Sequence, residues 1–283
     1  MVKTRLPSMP TVIFVFVISS LMPINRASEA PNTQRHQNPT EPLSLIAKRN
    51  SLRRPVALAL DEQDHRLYVA NAQSGSISMI DTLHSKPLLE VVIGGRLSDL
   101  EIIPGRPFLM ATDEQNHEAI LIPKSVFQKS DQTISLVPEK KILRIPVAPY
   151  PVSISTRHDG TQAYIASLWS RKLSIIPIPD EFSGTDLATS SIQTIALPFS
   201  PRLQLLIDNQ KRLLISDAFG GTMAIVDLES CVLQRVFSIP AHNIRGLALS
   251  LDGKRVLVSH MILNQLAETS RQSVFWGVVM TNN

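Results

Sequence analysis

"HRLYVANAQSGSISMIDT", residues 65–82, reads as two strands with a polar turn between them. Its flank makes it one copy of a longer unit. "LALDEQDHRLYVAN" (58–71) has a near twin in "LALSLDGKRVLVSH" (247–260). Weaker relatives stand at "LEIIPGRPFLMATD" (100–113), "ISTRHDGTQAYIAS" (154–167) and "QLLIDNQKRLLISD" (204–217). Each is an apolar-alternating strand, a polar turn, and a second strand ending on a small or polar residue. Two turns carry Asp-Gly, at Asp159-Gly160 and Asp252-Gly253, a strong hairpin signal.

Third and fourth strands follow at nearly constant offsets. The third are "SISMID" (76–81), "EAILIP" (118–123), "KLSIIP" (172–177) and "TMAIVD" (222–227). The fourth are "PLLEVVIG" (87–94), "KKILRIPV" (140–147), "IQTIALPF" (192–199) and "LQRVFSIP" (233–240). A four-stranded antiparallel unit repeating every 40–50 residues is a β-propeller blade. Such a sheet is apolar on both faces and is not stable alone; packing face to face around an axis hides both. The expected fold is therefore all-β, with blades at about 54–95, 96–149, 150–199 and 200–242, and a partial fifth at 243–283. In that fifth copy "SVFWGVVMTNN" is read as the third strand, with the fourth missing.

The strand ending Tyr68-Val69-Ala70-Asn71 resembles the Tyr-Val-Thr-Asn ending of the YVTN-type propeller repeat. The resemblance covers residues 54–283 and is sharpest in the first and last copies. That family includes secreted surface proteins, lactonase-like propellers and propellers associated with quinone or haem dehydrogenases. Its rings usually have seven blades, which implies either an incomplete ring here or a five-bladed one closed by "EPLSLIAKRN" (41–50).

The first thirty residues are a different kind of text. Lys3 and Arg5 precede the apolar run "TVIFVFVISSLM" (11–22), and Ser28 and Ala30 offer small residues before a cut. Residues 1–30 are expected to be a secretory signal, with no membrane span left after cleavage and a periplasmic or extracellular product. Residues 31–50 begin Pro- and Asn-rich and read as a flexible lead-in. The calculated pI of 9.3 comes partly from the removed segment, and no basic stripe stands out, so nucleic acid is not an expected partner. The single cysteine, Cys231, excludes an internal disulfide and the CxxCH pattern of covalent c-type haem. No cofactor is expected.

Blade geometry maps a site. The second strand's end and the approach to the first strand should meet near the axis on one face. The strand-end column is Asn71, Asp113, Ser167, Asp217 and His260. The approach column supplies Arg54, Arg96, Arg202 and Arg245, with Tyr150 and Asn243 in the same column. The strand-end residues and the four arginines are the candidate binding residues, for a protein, glycan or small ligand. The competing reading is that Asn, Asp and Ser at strand ends bond the adjacent turn, and that the arginines form ordinary surface ion pairs. No catalytic residue is assigned, and none is expected to bind metal. The expected function is an exported binding scaffold. The alternatives are the propeller portion of a redox enzyme or a lactonase-like hydrolase, for which the strand-end column lacks a Glu.

Overall fold

The computed structural model describes residues 52–127, 142–180 and 192–261 in full. It adds the backbone of four short strands, Phe14–Phe16, Ile134–Leu136, Gln272–Phe275 and Val278–Thr281. The chain is all-β and built of propeller blades. Blade 1 runs Pro55–Asp61, Arg66–Asn71, Ser76–Asp81 and Lys86–Val92. Blade 2 runs Leu97–Ile102, Phe108–Asp113, Glu118–Pro123 and Leu143–Pro146. Blade 3 runs Pro151–Thr156, Gln162–Ser167, Lys172–Pro177 and Gln193–Ala196. Blade 4 runs Pro201–Ile207, Arg212–Asp217, Thr222–Asp227 and Val232–Ser238. Blade 5 contributes His242–Leu249 and Val256–Met261. In each of the first four the strands pair in chain order, antiparallel.

Local chemistry sets these hairpins. Many of their short turns end on a residue in the left-handed region, directly before the next strand: His65, Gly75 and Ser85 in blade 1. This is the turn-plus-bulge geometry that keeps strand twist matched across a hairpin. In the two Asp-Gly turns the left-handed residue is the glycine, Gly160 at φ 66° and Gly253 at φ 68°, set one and two residues short of the next strand.

The blades are two-faced, and the alternation of side chains along each strand explains why. In "FLMATD" (108–113) every residue is buried. Leu109 and Ala111 join Tyr68, Ile77 and Val91 between blades 1 and 2. Phe108 and Met110 join Ile154, Ile165 and Ile176 between blades 2 and 3. Similar layers fill the junctions of blades 3 and 4 (Tyr164, Leu173, Leu213, Val226) and of blades 4 and 5 (Leu214, Met223, Ile244, Val258). The innermost strand of each blade lies beside that of the next.

Among the described residues, the two outer faces of this series are not covered in this way. On the innermost strand of blade 1, Val56, Leu58 and Leu60 are 44%, 66% and 53% exposed. On blade 5, Leu257 is exposed, and Leu251 stands exposed in the hairpin turn.

Three segments depart from the expected pattern. The run read as a third strand for blade 5 instead forms its own two-stranded sheet, Gln272–Phe275 against Val278–Thr281. The two strands thus pair with each other rather than with blade 5. The free edge of Val256–Met261 is taken by Phe14–Phe16, in parallel register with Leu257–Ser259. Between the third and fourth strands of blade 2, Ile134–Leu136 adds a parallel fifth strand beside Glu90–Val92 of blade 1 and covers that edge. The rest of the signal reading, and the lead-in with its proposed closing strand, lie outside the described residues.

Candidate functional site

The two columns do meet. The register pairs Pro55 with Asn71, Leu97 with Asp113, Pro151 with Ser167, Pro201 with Asp217, and Ile244 with His260. All ten positions therefore lie at one end of the blades, on one face.

The strand-end side chains turn inward. Asp113 is fully buried; its carboxylate accepts the backbone N–H groups of Gly95 (2.6 Å), Arg96 (3.1 Å), Gln115 (3.0 Å) and Asn116 (3.2 Å), and the Asn116 Nδ2 (2.8 Å). Asn71 donates from Nδ2 to Ser76 Oγ (3.2 Å) and Ser78 Oγ (2.9 Å). Ser167 Oγ donates to the Ala148 carbonyl (2.7 Å). Asp217 accepts from Phe219 N and Gly220 N. His260 is buried, with Nδ1 3.1 Å from the Met261 carbonyl. These groups tie turns together.

The approach column divides into two positions. Arg54 (φ 54°) and Tyr150 (φ 61°) occupy a left-handed residue just before the first paired residue of their blades, and Asn243 (φ 50°) one just before Ile244, the partner of His260. Arg96 stands there in blade 2 and pairs with Glu114 at 3.3 Å. Arg202 and Arg245 come one residue later. Every innermost strand shifts register directly after the pair made with the strand-end column, and the residues in the shift are Val56, Ser98, Val152, Arg202 with Leu203, and Arg245; blade 5 also shifts at Asn243. A bulge of this kind re-aims a side chain without breaking the sheet. In blade 2 it lets Ser98 Oγ donate to the Pro151 carbonyl of blade 3 (2.7 Å). Burial, and then the like charge of Arg245, lower the pKa of Arg202.

Aromatic side chains decorate the same face. Trp169 and Phe219 sit in the turns after the second strands of blades 3 and 4, each 57% exposed, stacked with ring centroids 5.6 Å apart. Tyr150 packs on His117 at 4.9 Å, and its backbone N–H donates to His117 Nδ1 (3.2 Å). The sequence reading missed Trp169, Phe219 and His117, although for the first two a signal was present. Two residues past the strand-end column the copies read Gln73, Gln115, Trp169, Phe219: two amides, then two aromatics.

Nearer the axis, two carboxylates on the innermost strand of blade 2 reach the free edge of blade 3. Asp99 Oδ2 accepts from Ile154 N (2.8 Å), and Glu101 Oε1 from Thr156 Oγ1 (2.9 Å). From the other side, Gln204 Nε2 donates to the Ser153 carbonyl (2.9 Å) and hydroxyl (2.8 Å). Burial raises Asp99 to about 6, against the hydrogen bonds it accepts from Ile154 and Leu100. Burial raises Glu101 to about 7; the hydrogen bond from Thr156 opposes this and the charge of Asp99 adds to it. Glu101 Oε2 and Gln204 Oε1 are buried with no hydrogen-bond partner among the described residues.

A cleft of about 420 Å³ separates blades 4 and 5, lined by Met223, Ile225, Phe237, Leu249 and Val256. It also touches Asp208 and Gly253, in the turns between first and second strands, so it opens away from the arginine face. Blade 5 presents fewer of its own strands to this junction than blade 4 does. Among the described residues no three His, Cys, Asp or Glu side chains gather as a metal-holding group.

No family profile and no curated protein sequence matches the chain. Solved structures do. Hydrazine synthase from Kuenenia stuttgartiensis superposes with a TM-score of 0.62 at 18% identity, over 79% of this chain and 60% of that one. Virginiamycin B lyase from Staphylococcus aureus, as the selenomethionine-substituted protein, superposes with a TM-score of 0.53 at 14% identity, over 72% of this chain and 62% of that one. A catalytically inactive form of the same lyase, with quinupristin, gives 0.54 at 16% identity, over the same shares. At these identities the likeness is one of fold, and the chain spans about three-fifths of each neighbour's length.

Proposed function

We propose that this chain is an exported, YVTN-like propeller that binds a ligand through the face where its second strands end and its first strands begin. The observation that carries the reading is the contrast on that face. The strand-end groups are consumed inside the turns, while Arg202, Arg245, Trp169 and Phe219 are left over by the fold's own bonding. Side chains a fold does not use, gathered at the mouth of a propeller, are what a binding surface is made of. Residues 1–30 support export by their charge, apolar run and small-residue end.

The alternative is a redox or hydrolytic enzyme part. It draws on neighbours whose names are a synthase and a lyase. It gains no acid–base pair from this face, where His260 is occupied by a backbone carbonyl.

The test is hydrogen exchange by mass spectrometry on the secreted chain, with and without hits from a screen of small molecules and glycans. Protection concentrated in 148–151, 168–172, 217–222 and 242–246 supports the reading. Hits that protect instead the turns at 61–66, 157–162 and 250–255, at the other end of the blades, overturn it.

A further inference from the structure

We infer that Arg202 and Arg245 form a binding site for a small organic anion, a phosphate or carboxylate, whose attached planar ring stacks on Trp169 and Phe219. This rests on the central-face reading above and names its ligand class.

The first ground is position. Arg202 and Arg245 occupy the same bulge of two adjacent innermost strands. Blades 1, 2 and 3 fill that place with Val56, Ser98 and Val152, so the fold does not require a cation there. Ser98 shows where the bulge points a side chain: toward the start of the next blade's innermost strand. For Arg202 that neighbour is blade 5, where Arg245 stands.

The second ground is the absence of partners. Arg53, Arg96, Arg144 and Arg212 pair with Glu90, Glu114, Glu118 and Asp208. Neither Arg202 nor Arg245 has a hydrogen bond or ion pair to any described residue. The nearest acid in the turn, Asp217, is held by Phe219 N and Gly220 N. Arg202 is half-buried and its charge is opposed by that of Arg245. An anion between two such guanidinium groups removes their repulsion and offers forked hydrogen bonding to both.

The third ground is the aromatic shelf. Backbone bonds tie it to the arginine strands: Ala218 N donates to the Ser200 carbonyl (2.8 Å) and Asn243 N to the Phe219 carbonyl (3.0 Å). Two large aromatics at 57% exposure are stacked on each other with their outer surfaces in water. Such a platform takes planar rings.

Phenyl phosphate, benzoate and inorganic phosphate serve as probes, read by Trp169 fluorescence in a Trp276→Phe background and by titration calorimetry. Phenyl phosphate is expected to bind at least tenfold more tightly than inorganic phosphate. Benzoate against phenyl phosphate tells which anion the pair prefers. Arg202→Gln and Arg245→Gln each weaken phenyl phosphate about tenfold or more. Trp169→Ala, read by calorimetry, brings phenyl phosphate down to the level of inorganic phosphate. Arg245→Lys keeps the charge and recovers part of the affinity, which separates lost charge from lost folding; near-UV circular dichroism checks each variant. Unchanged affinity in both Gln variants overturns the site. If exchange protection then lies elsewhere on the same face, the face reading stands while this site falls. Absence of saturable binding by any probe at millimolar concentration overturns the ligand class, and the exchange screen alone then judges the face.

Discussion

Asp113 shows what one side chain does at the end of a strand. Its carboxylate gathers four backbone N–H groups and one amide, with no exposure to water. Removing a buried acceptor leaves those donors unsatisfied, at a cost of about 1–3 kcal/mol for the desolvated groups. Asp113→Ala should lower unfolding free energy by roughly 3 kcal/mol in urea titrations. The equivalent Ser167→Ala, which strands one carbonyl, should cost about 1 kcal/mol. In sequence the two residues look alike, as polar strand ends. Which one is saturated depends on turn N–H groups that arrive only when the hairpins close, so the site column was legible as a position but not as a role. Asp99 and Glu101 carry a second residue-scale prediction. Both carboxyls are raised on folding, from 3.8 to about 6 and from 4.5 to about 7. Their protonated forms are favoured in the folded state. Stability from these groups is thus full below about pH 4 and declines as pH rises toward 7, with each two-unit shift worth roughly 3 kcal/mol. Denaturant midpoints at pH 4.5 and pH 8 should differ in that direction, and Glu101→Gln should flatten the difference. A midpoint that rises with pH across that window in the wild type, and does so equally in Glu101→Gln, would contradict this account.

At the level of strands and sheets, the blade works because its two faces serve different neighbours. Met110 and Leu109 are adjacent in sequence, fully buried, and belong to different junctions. Met110→Ala should therefore loosen the layer between blades 2 and 3, and Leu109→Ala the layer between 1 and 2, each by about 2–4 kcal/mol. Hydrogen exchange would show the loss spreading into the named pair of blades. Gly75 guards a turn. Its φ is 62°, and a Cβ would stand 2.0 Å from the Gly94 carbonyl oxygen, so Gly75→Ala should destabilise blade 1 well beyond an ordinary surface substitution, as a drop in melting temperature of several degrees. The elements were largely readable beforehand, since alternation plus turn chemistry recurs in every copy. The exceptions differ in cause: Ile134–Leu136 takes a distant partner, Glu90–Val92, chosen by tertiary contact, whereas Gln272–Phe275 and Val278–Thr281 pair with each other instead of joining a blade.

For the whole molecule, four apolar layers join five blades, and both outer faces of the series expose leucines. Replacing Leu58 and Leu60 together by Glu should change unfolding free energy little, within about 1 kcal/mol, because these side chains are already exposed. It should abolish any self-association seen by sedimentation at high concentration. Association that persists unchanged would show that the blade 1 face is not its origin. The sequence made the blade count and partial fifth unit visible. It did not reveal which faces stay bare, because exposure is a property of what lies beside a strand and not of the strand itself.

The bare faces are not copies of one another. The first is the innermost strand of blade 1; the other is the back of blade 5's hairpin, which carries Leu257. Contact between unlike patches has no twofold axis and does not consume itself in a pair. Molecules joined that way grow in single file, each addition presenting the same sticky tip, so polymers of indefinite length rather than dimers are the natural product of crowding.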